Sequence, residues 1–297
     1  MPGMTAALAL LIADPLILGA QQSPPTAPAE DTDLIEAARD RVERMIVPVA
    51  VQGSGPYSFL IDTGSQRTVL STAVATRLAL TQGPSVRIVG VAGVNQVATA
   101  HVDEIAFGQQ LVAGLTVPLL EDRHMGADGI IGTDSLQGQR VVLDFVRETI
   151  AIGTPREIGP ASGYDIVVRA RRRSGRLILT NALIDGVRVD VVVDTGAQGT
   201  IGNRALQRAL RKKSAGVGSL ASVTGQTLLA DFGVARKLKL DTLEVSNVTI
   251  AFADAPAFAG LKLAEKPAIF LGMREMRSFR RIAIDFASRK VFFDVGG

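Results

Sequence analysis

A short sequence that occurs twice constrains the fold of this chain more than any other feature. A hydrophobic run leads into Asp-Thr-Gly at Phe59–Ser65, with the sequence FLIDTGS, and again at Val191–Ala197, with the sequence VVVDTGA. One copy alone could be an ordinary strand that ends in a turn, because Asp and Gly are common where strands stop. Two copies indicate two related halves, each of which delivers one aspartate to the end of a strand.

The residues around the two motifs repeat as well. Upstream, each half predicts a β-hairpin whose second strand ends in the motif, with its turn at 53–56 in the first half and at Asp185-Gly186 in the second. Downstream, the helix-like spacing of apolar residues in 69–78 and in 203–210 predicts one short helix per half. Most other segments are short strands between turns, so the predicted fold class is all-β.

Two further elements recur after the predicted helices. Glycine-bearing turns between β-branched runs predict hairpin tips, and their equivalent places in the two halves favour a pair of mobile flaps over plain surface turns. The first tip comprises Gly90, Val91, Ala92 and Gly93, and the second contains Thr224 and Gly225. A hydrophobic-hydrophobic-Gly element then ends in Ile131-Gly132 in the first half and in Leu271-Gly272 in the second.

The repeat also predicts how the chain is divided. We assign 1–40 to a signal peptide or membrane anchor with a Pro-rich linker, 41–155 to an N-terminal lobe, 156–172 to an interlobe linker and 173–297 to a C-terminal lobe. The halves differ by a modest insertion, which we place near 255–260.

The first thirty residues are similar to an export signal. An apolar run at 5–20 is followed by a polar, Pro-rich spacer at 21–30, which is the order found in secretory signal peptides. No Lys or Arg precedes the run, and Asp14-Pro15 interrupts it. A disordered cytoplasmic extension and a retained membrane anchor are therefore the alternatives. We expect an exported protein, either periplasmic or secreted.

Composition excludes several kinds of enzyme. The 297 residues include no cysteine, which rules out disulfides, thiolate nucleophiles and Cys-ligated metals. His101 and His124 are the only histidines, and neither has the spacing of a metal site. The net charge is only +3, and the arginine clusters lack interleaved aromatic residues for base stacking. We interpret these clusters as solvated edges and expect no nucleic-acid partner.

Taken together, these residues resemble the aspartic proteases, and the retroviral-type (retropepsin-like) branch more closely than pepsin. The resemblance extends from about Val47 to the C-terminus. It implies a bilobal acid-protease fold of two β-barrel-like lobes, with a short helix in each lobe and the active site between them. Neither tyrosine of the chain lies in a predicted flap, unlike the flap tyrosine of pepsin. Both motifs stand on one chain, so the resemblance implies that a monomer suffices.

The resemblance also implies a role for each motif residue. Asp62 and Asp194 match the catalytic dyad. Their neighbours match residues that support the two active-site loops, namely Thr63, Gly64, Ser65, Thr195, Gly196 and Ala197. The two glycine-bearing tips match substrate-binding flaps. The Ile131-Gly132 and Leu271-Gly272 elements match those that brace the active-site loops.

The implied activity is that of an aspartic endopeptidase acting on peptides or proteins. Two adjacent carboxylates share one proton, so that the ionised member activates a water molecule and the protonated member polarises the scissile carbonyl. This mechanism requires no metal or organic cofactor. Ser65 follows the first motif and Ala197 the second, and a serine hydroxyl that donates to Asp62 lowers the pKa of that carboxyl. We therefore expect Asp194 to hold the shared proton more often.

Two other functions are compatible with the sequence. A protease-like fold could bind peptides or partner proteins without cutting them, because small displacements of a dyad abolish catalysis. Nucleic-acid binding through the arginine clusters ranks below this alternative. Asp144 and Asp285 also recur between the halves. We interpret them as structural because they lie inside strand repeats and lack the Thr-Gly turn.

Overall fold

A computed structural model describes residues 34–36, 38–39, 45–211 and 214–295. The predicted export signal and its spacer lie outside the described residues. Within these ranges, no helix combines the length and the apolar composition needed to cross a membrane.

Strands make up most of the described chain. In chain order they are β1 (Leu34–Glu36), β2 (Ala38–Arg39), β3 (Met45–Val51), β4 (Ser54–Ile61), β5 (Val69–Ser71), β6 (Gln82–Val89), β7 (Val94–Phe107), β8 (Gln110–Leu120), β9 (Gly129–Ile131), β10 (Arg140–Asp144), β11 (Thr149–Gly153), β12 (Ile166–Arg173), β13 (Arg176–Ile184), β14 (Val187–Val193), β15 (Thr200–Gly202), β16 (Gly216–Ala221), β17 (Thr227–Leu240), β18 (Leu243–Phe252), β19 (Ala268–Leu271), β20 (Arg281–Asp285) and β21 (Lys290–Asp294). The helices are α1 (Thr72–Arg77), α2 (Asp122–Met125), α3 (Arg204–Ala209), α4 (Pro256–Gly260) and α5 (Met273–Met276). The prediction of an all-β fold is confirmed.

Strands form where hydrophobic residues alternate with polar ones or run without interruption. In β3, every second residue from Met45 to Val51 is buried, as expected for a strand with one face on the core. The last three residues of β4, Phe59–Ile61, are all buried, and so are the last three of β14, Val191–Val193. Strands that are covered on both faces carry such continuous runs. The motif aspartates therefore emerge from the interior of each lobe.

Each lobe contains the same arrangement of three strands around its motif. In the first lobe, β9 lies between β4, to which it is parallel, and β5, to which it is antiparallel. In the second lobe, β19 lies between β14 and β15 in the same way. Ile131 pairs with Ile61, and Leu271 pairs with Val193. The hydrophobic-hydrophobic-Gly element of each half therefore runs beside the strand that ends in the aspartate.

Strands β10 and β20 join the two lobes. They pair antiparallel with Val142 opposite Ala283, in the order β1-β11-β10-β20-β21-β12. Because Val142 and Ala283 are equivalent positions of the two halves, the pairing relates the lobes by an approximate two-fold axis. Residues 32–297 accordingly form one compact unit. The range 156–172, predicted to link the lobes, contains most of β12, which pairs with β21 and β13.

The helices differ from the expectation of one per lobe. The predicted helices correspond to α1 and α3, which begin after Ser71 and Asn203. The side chain of each of these residues accepts a backbone N–H of the first turn, which is the preferred N-cap interaction. Residues 69–71, predicted as helix, form β5 instead, because β9 and β8 pair with them. Single-turn helices α2, α4 and α5 are additional, and α4 lies in the predicted insertion.

A buried ion pair crosses the pairing between the lobes. Arg140 donates from Nε and Nη2 to Asp285 at 3.1 and 2.8 Å, and the Asp285 side chain is completely buried. The equivalent residues of the other half do not form the matching pair. Arg281 donates to Asp294 at 2.8 Å instead, and Asp144 accepts two backbone N–H groups of the turn that follows it. Both recurring aspartates thus have structural partners.

Replacement of Arg140 with alanine should lower the free energy of unfolding by about 3–5 kcal/mol, because it leaves the buried Asp285 charge without its partner. Chemical denaturation followed by circular dichroism measures this loss. Arg281→Ala is the matched control, since the Arg281–Asp294 pair is partly exposed and should contribute about 1 kcal/mol or less. Equal losses in the two variants would contradict a special role for the buried pair.

Candidate active site

The two motif aspartates begin loops at equivalent strand ends. Asp62 follows β4, and its backbone N–H donates to the Ile131 carbonyl at 3.0 Å. Asp194 follows β14, and its N–H donates to the Leu271 carbonyl, also at 3.0 Å. Each aspartate is therefore held by the last ladder bond to the parallel strand beside it. This explains why the Ile131 and Leu271 elements stand at matching places in the sequence.

Backbone N–H groups orient both carboxylates. Those of Gly64 and Ser65 each donate to Oδ1 of Asp62 at 2.8 Å. Those of Gly196 and Ala197 donate to Oδ1 of Asp194 at 3.0 and 3.2 Å. Hydrogen bonds from backbone donors stabilise the ionised form of a carboxyl, and they fix Oδ1 of each residue in its own loop.

The glycine of each motif lies directly against the aspartate of the other. A Cβ atom on Gly64 would overlap the carboxylate of Asp194, and a Cβ on Gly196 would overlap that of Asp62. Only glycine permits such a close approach of backbone to side chain. This reciprocal contact brings the two aspartates together between the lobes.

Two threonine hydroxyls cross-link the loops. Thr63 donates from Oγ1 to the Val193 carbonyl at 2.7 Å, and Thr195 donates from Oγ1 to the Ile61 carbonyl at 2.6 Å. Each hydroxyl also accepts the backbone N–H of the opposite threonine, at 3.0 and 3.2 Å. Both threonines are buried. Four hydrogen bonds related by the approximate two-fold axis thus fix the separation of the loops.

The bracing glycines pack against the later part of each loop. A Cβ on Gly132 would overlap the Arg67 carbonyl, and a Cβ on Gly272 would approach the Gly199 carbonyl to 2.5 Å. The N–H of each bracing glycine donates to the hydroxyl of Thr68 or Thr200, at 3.1 and 3.2 Å.

Thr68 and Thr200 were not among the site residues predicted from the sequence. They could have been found, because they stand six residues after Asp62 and Asp194. Their hydroxyls donate to Asp134 and Glu275, at 2.7 and 2.6 Å.

The environment of Asp194 favours its protonated form. Burial, followed by the negative charge of Asp62, raises the pKa of Asp194 to about 8. Hydrogen bonds from Gly196 and Ala197 and the positive charge of Arg176 oppose this shift, but they do not cancel it. At neutral pH the pair therefore retains one proton, as expected for two adjacent carboxylates in a site of low polarity.

The serine of the first motif does not act as expected. We predicted that its hydroxyl donates to Asp62, but Ser65 Oγ donates to the Arg67 carbonyl at 2.8 Å. A hydroxyl has one proton to donate, so the side chain of Ser65 is not a donor to Asp62. The raised pKa of Asp194 thus comes from burial and from the charge of Asp62, and the Ser65 hydroxyl does not contribute to it through a hydrogen bond to Asp62.

Arg176 is a third residue of the site that was not predicted from the sequence. It starts β13 in the second lobe, and its Nε donates to the Gly64 carbonyl in the first. Burial lowers the pKa of the guanidinium, whereas the charges of Asp62 and Asp194 raise it. We interpreted its arginine cluster as a solvated edge, and this is wrong for Arg176, which is half-buried beside the dyad.

The predicted flap residues lie at the tips of two hairpins. Gly90 and Gly93 close the tip between β6 and β7, which also contains Val91 and Ala92, with the Gly90 N–H donating to the Gly93 carbonyl at 2.8 Å. The tip between β16 and β17 contains Thr224 and Gly225. Gly225 has a φ of +80° and lies against the ring of His124, so a side chain there would be strained and would collide.

The two hairpin tips meet. A Cβ on Gly93 would overlap the side chain of Gln226, and Asn95 lies within 3.5 Å of the Thr224 carbonyl. Each tip also reaches the opposite lobe. Val91 packs against a cluster that includes Phe258 and Phe270 of the second lobe, and Val223 packs against a cluster that includes Leu60 and Met125 of the first.

In the described part of the chain, no group of three or more His, Cys, Asp or Glu side chains is arranged to hold an ion. His101 contacts Asp103 at 3.2 Å on the surface. The titratable groups that interact at the dyad are the carboxyls of Asp62 and Asp194 and the guanidinium of Arg176.

Comparison with known families agrees with this geometry. The sequence matches the family described as aspartyl protease over residues 47–135 and again over 180–274. These segments cover more than half of the chain. The chain belongs to the aspartyl protease family. A comparison with curated proteins finds no match.

Each matched segment of this aspartyl protease contains one complete set of the elements described above. The first runs from β3 through the Asp62 loop and the first hairpin tip to the turn after Gly132. The second runs from β13 through the Asp194 loop and the second tip to α5. The resemblance to the retropepsin-like proteases, with two lobes in one chain, is confirmed.

An Ala197→Ser variant should keep the pH optimum of the wild type. The equivalent hydroxyl, Ser65 Oγ, donates to the carbonyl two residues later, and the new hydroxyl should likewise donate to Gly199. Rates of peptide cleavage measured between pH 3 and 9 test this. A shift of the optimum toward acid would show that the hydroxyl at this position reaches the carboxylate after all.

An Arg176→Met variant should shift the pH–activity profile upward by roughly one unit. The Arg176 charge lowers the pKa of Asp194, so its loss raises that pKa and keeps the proton on the pair to higher pH. In the wild type, activity should fall as the pH rises past about 8, where Asp194 loses its proton.

The pH dependence of kcat/KM measures the Arg176→Met shift, with Arg176→Lys as the matched control because it retains the charge. A profile that does not move in Arg176→Met would contradict an electrostatic role for Arg176.

Proposed function

We propose that this chain is an aspartic endopeptidase. Asp62 and Asp194 together hydrolyse a peptide bond of the substrate, which lies between them. The observation that carries the proposal is the reciprocal contact of the two motifs, in which each glycine lies against the other aspartate and each threonine hydroxyl bonds to the other strand. This contact presents two carboxyls side by side, as paired-carboxylate catalysis requires. The family membership supports a protease in general.

The two aspartates take different parts in the proposed reaction. Asp62, the ionised member, removes a proton from a water molecule as the water oxygen attacks the scissile carbonyl carbon. Asp194, whose pKa is raised, donates its hydrogen to the carbonyl oxygen. The tetrahedral intermediate then collapses as the C–N bond breaks. The proton taken up by Asp62 passes to the leaving amine, and a hydroxyl proton of the intermediate returns to Asp194 as the carbonyl of the product forms. Charge balance is kept throughout, because one proton stays with the pair.

The proposed catalyst is a monomer. Both aspartates, both glycine contacts and both threonine cross-links come from a single chain, so a second copy has no residue to add to the dyad. The two hairpin tips meet each other, and each packs against the opposite lobe. We propose that they act as flaps, and that a peptide in extended conformation enters when they separate.

A binding module without activity is the second candidate. The buried position of Asp194 argues against it, because a carboxyl forced to hold a proton beside a second carboxyl destabilises the fold. A peptide-binding surface has no use for this arrangement, whereas an acid–base pair depends on it. We also propose export from the cytoplasm, on the apolar run at 5–20 and the Pro-rich spacer after it.

Asp62→Asn and Asp194→Asn should each lower the rate of peptide cleavage by about 10²–10⁴-fold, because each removes one partner of the proton transfer. Cleavage of an unbiased peptide library, analysed by mass spectrometry, provides the measurement. Asp254→Asn is the matched control, since its side chain is 83% exposed and should leave the rate unchanged.

The library also separates the two candidate functions. If the wild type and both dyad variants fail to cleave while still binding peptides, the binding module is correct and the endopeptidase is not. Resistance to pepstatin would not count against the proposal, because the flaps lack the tyrosine of pepsin-like enzymes.

A further inference from the structure

Three guanidinium groups are associated with the two active-site loops. Arg67 belongs to the first loop, five residues after Asp62, and its Nη2 donates to the Thr116 carbonyl at 2.8 Å. Arg176 donates to Gly64 within the same loop. Arg274, in α5, lies beside the second loop. Three positive charges thus surround the strand ends from which the dyad emerges.

Arg67 and Arg274 occupy matching places although they do not match in sequence. The residue equivalent to Arg67 in the second loop is Gly199, five residues after Asp194. A Cβ on Gly199 would lie 3.7 Å from Nη1 of Arg274. The missing side chain of the second loop is therefore replaced by a guanidinium from the neighbouring helix. A guanidinium thus belongs to the fifth residue after Asp62, and another lies beside the fifth residue after Asp194.

Two of these charges lack an ion-pair partner within the described part of the chain. Arg176 interacts with the charges of the dyad, but Arg67 and Arg274 form no ion pair with a described carboxylate, unlike Arg140 and Arg281, which pair with Asp285 and Asp294. The acidic residue next to Arg274 is Glu275, whose carboxyl accepts the Thr200 hydroxyl at 2.6 Å. Burial raises the pKa of Glu275, which weakens its ability to compensate the neighbouring charge.

Exposure separates the roles of the three arginines. Arg176 is half-buried and its charge acts on the dyad, whereas the side chains of Arg67 and Arg274 are exposed. An exposed guanidinium can bind a carboxylate in a bidentate manner, with two parallel hydrogen bonds. A solvated arginine without a partner is common on any surface. Here, however, Arg67 lies on the first active-site loop, and Arg274 lies beside Gly199, the equivalent residue of the second loop.

We propose that the cleft selects peptides with acidic side chains on both sides of the scissile bond. Arg67 binds the acidic side chain on one side, and Arg274 binds the one on the other. This proposal rests on the proposed endopeptidase function, and it defines the substrate class. Because Arg67 is the fifth residue after Asp62 and Arg274 lies beside the fifth residue after Asp194, we place the two acidic positions near the cut bond, one on each side.

The test measures binding separately from cleavage. The protein is the full chain carrying Asp62→Asn, and the probes are fluorescent peptides that are identical except for Glu, Gln or Lys at the flanking positions. Fluorescence anisotropy at low and high salt gives the dissociation constants. The Glu peptide should bind on the order of 10-fold more tightly than the Gln peptide, and salt should reduce this preference.

Charge reversal identifies the residues responsible. Arg67→Glu and Arg274→Glu should each abolish the preference for Glu on one side of the bond and create a preference for Lys there. Arg188→Glu is the matched control, because Arg188 is an exposed arginine on β14, and it should leave both preferences unchanged. Arg67→Gln and Arg274→Gln, which introduce no new charge, should abolish the preference without reversing it.

The outcomes separate this proposal from the proposed function. Equal binding of the Glu and Gln peptides, or the same loss in the Arg188→Glu control, would overturn the substrate class even if the wild type cleaves peptides. If the Asp62→Asn protein binds the Glu peptide selectively but the wild type cleaves none of the probes, the acidic preference is supported and the endopeptidase is rejected. Cleavage of the Glu peptide by the wild type at a kcat/KM on the order of 10-fold above the Gln peptide would support both.

Discussion

Two buried hydroxyl groups, those of Thr63 and Thr195, hold the centre of this molecule together. Each donates to a carbonyl at the strand end of the other lobe and accepts the N–H of the other threonine. A hydroxyl on a short side chain allows little variation in distance, so these bonds set the separation of the loops. The glycine contacts of both motifs depend on that separation, and so does the distance between the two carboxyls.

The electrostatics of the dyad follow from this packing. A carboxyl that is buried beside a second carboxyl retains its proton well above the usual pH, which is the condition of Asp194. Arg176 limits the effect, because its half-buried charge favours the ionised forms. The balance between burial and one guanidinium therefore decides at which pH the pair holds a single proton. The proposed hydrolysis of peptides requires that protonation state.

Much of this arrangement can be predicted from the sequence, because it is repeated. The two motifs, the hairpins before them and the Ile131-Gly132 and Leu271-Gly272 elements are local patterns with equivalent copies. The contacts that need the folded chain could not be predicted. Arg176 stands next to other arginines that are exposed, and only the turn before β13 brings it to Gly64. The Ser65 hydroxyl points to a backbone carbonyl two residues away. The orientation of that carbonyl cannot be predicted from the residue types in the loop.

The antiparallel pairing of β10 with β20 joins the two halves of the chain independently of the covalent connection between them. The covalent connection between the halves is not what keeps them together, since a ladder of hydrogen bonds and the Arg140–Asp285 pair join them directly. Separated, each half would expose a hydrophobic strand edge, which is a template for aggregation. Fusion of the two copies into one polypeptide ensures that every edge meets its intended neighbour at high effective concentration. It also frees the copies to diverge, as the Ser65/Ala197 and Arg67/Gly199 differences show.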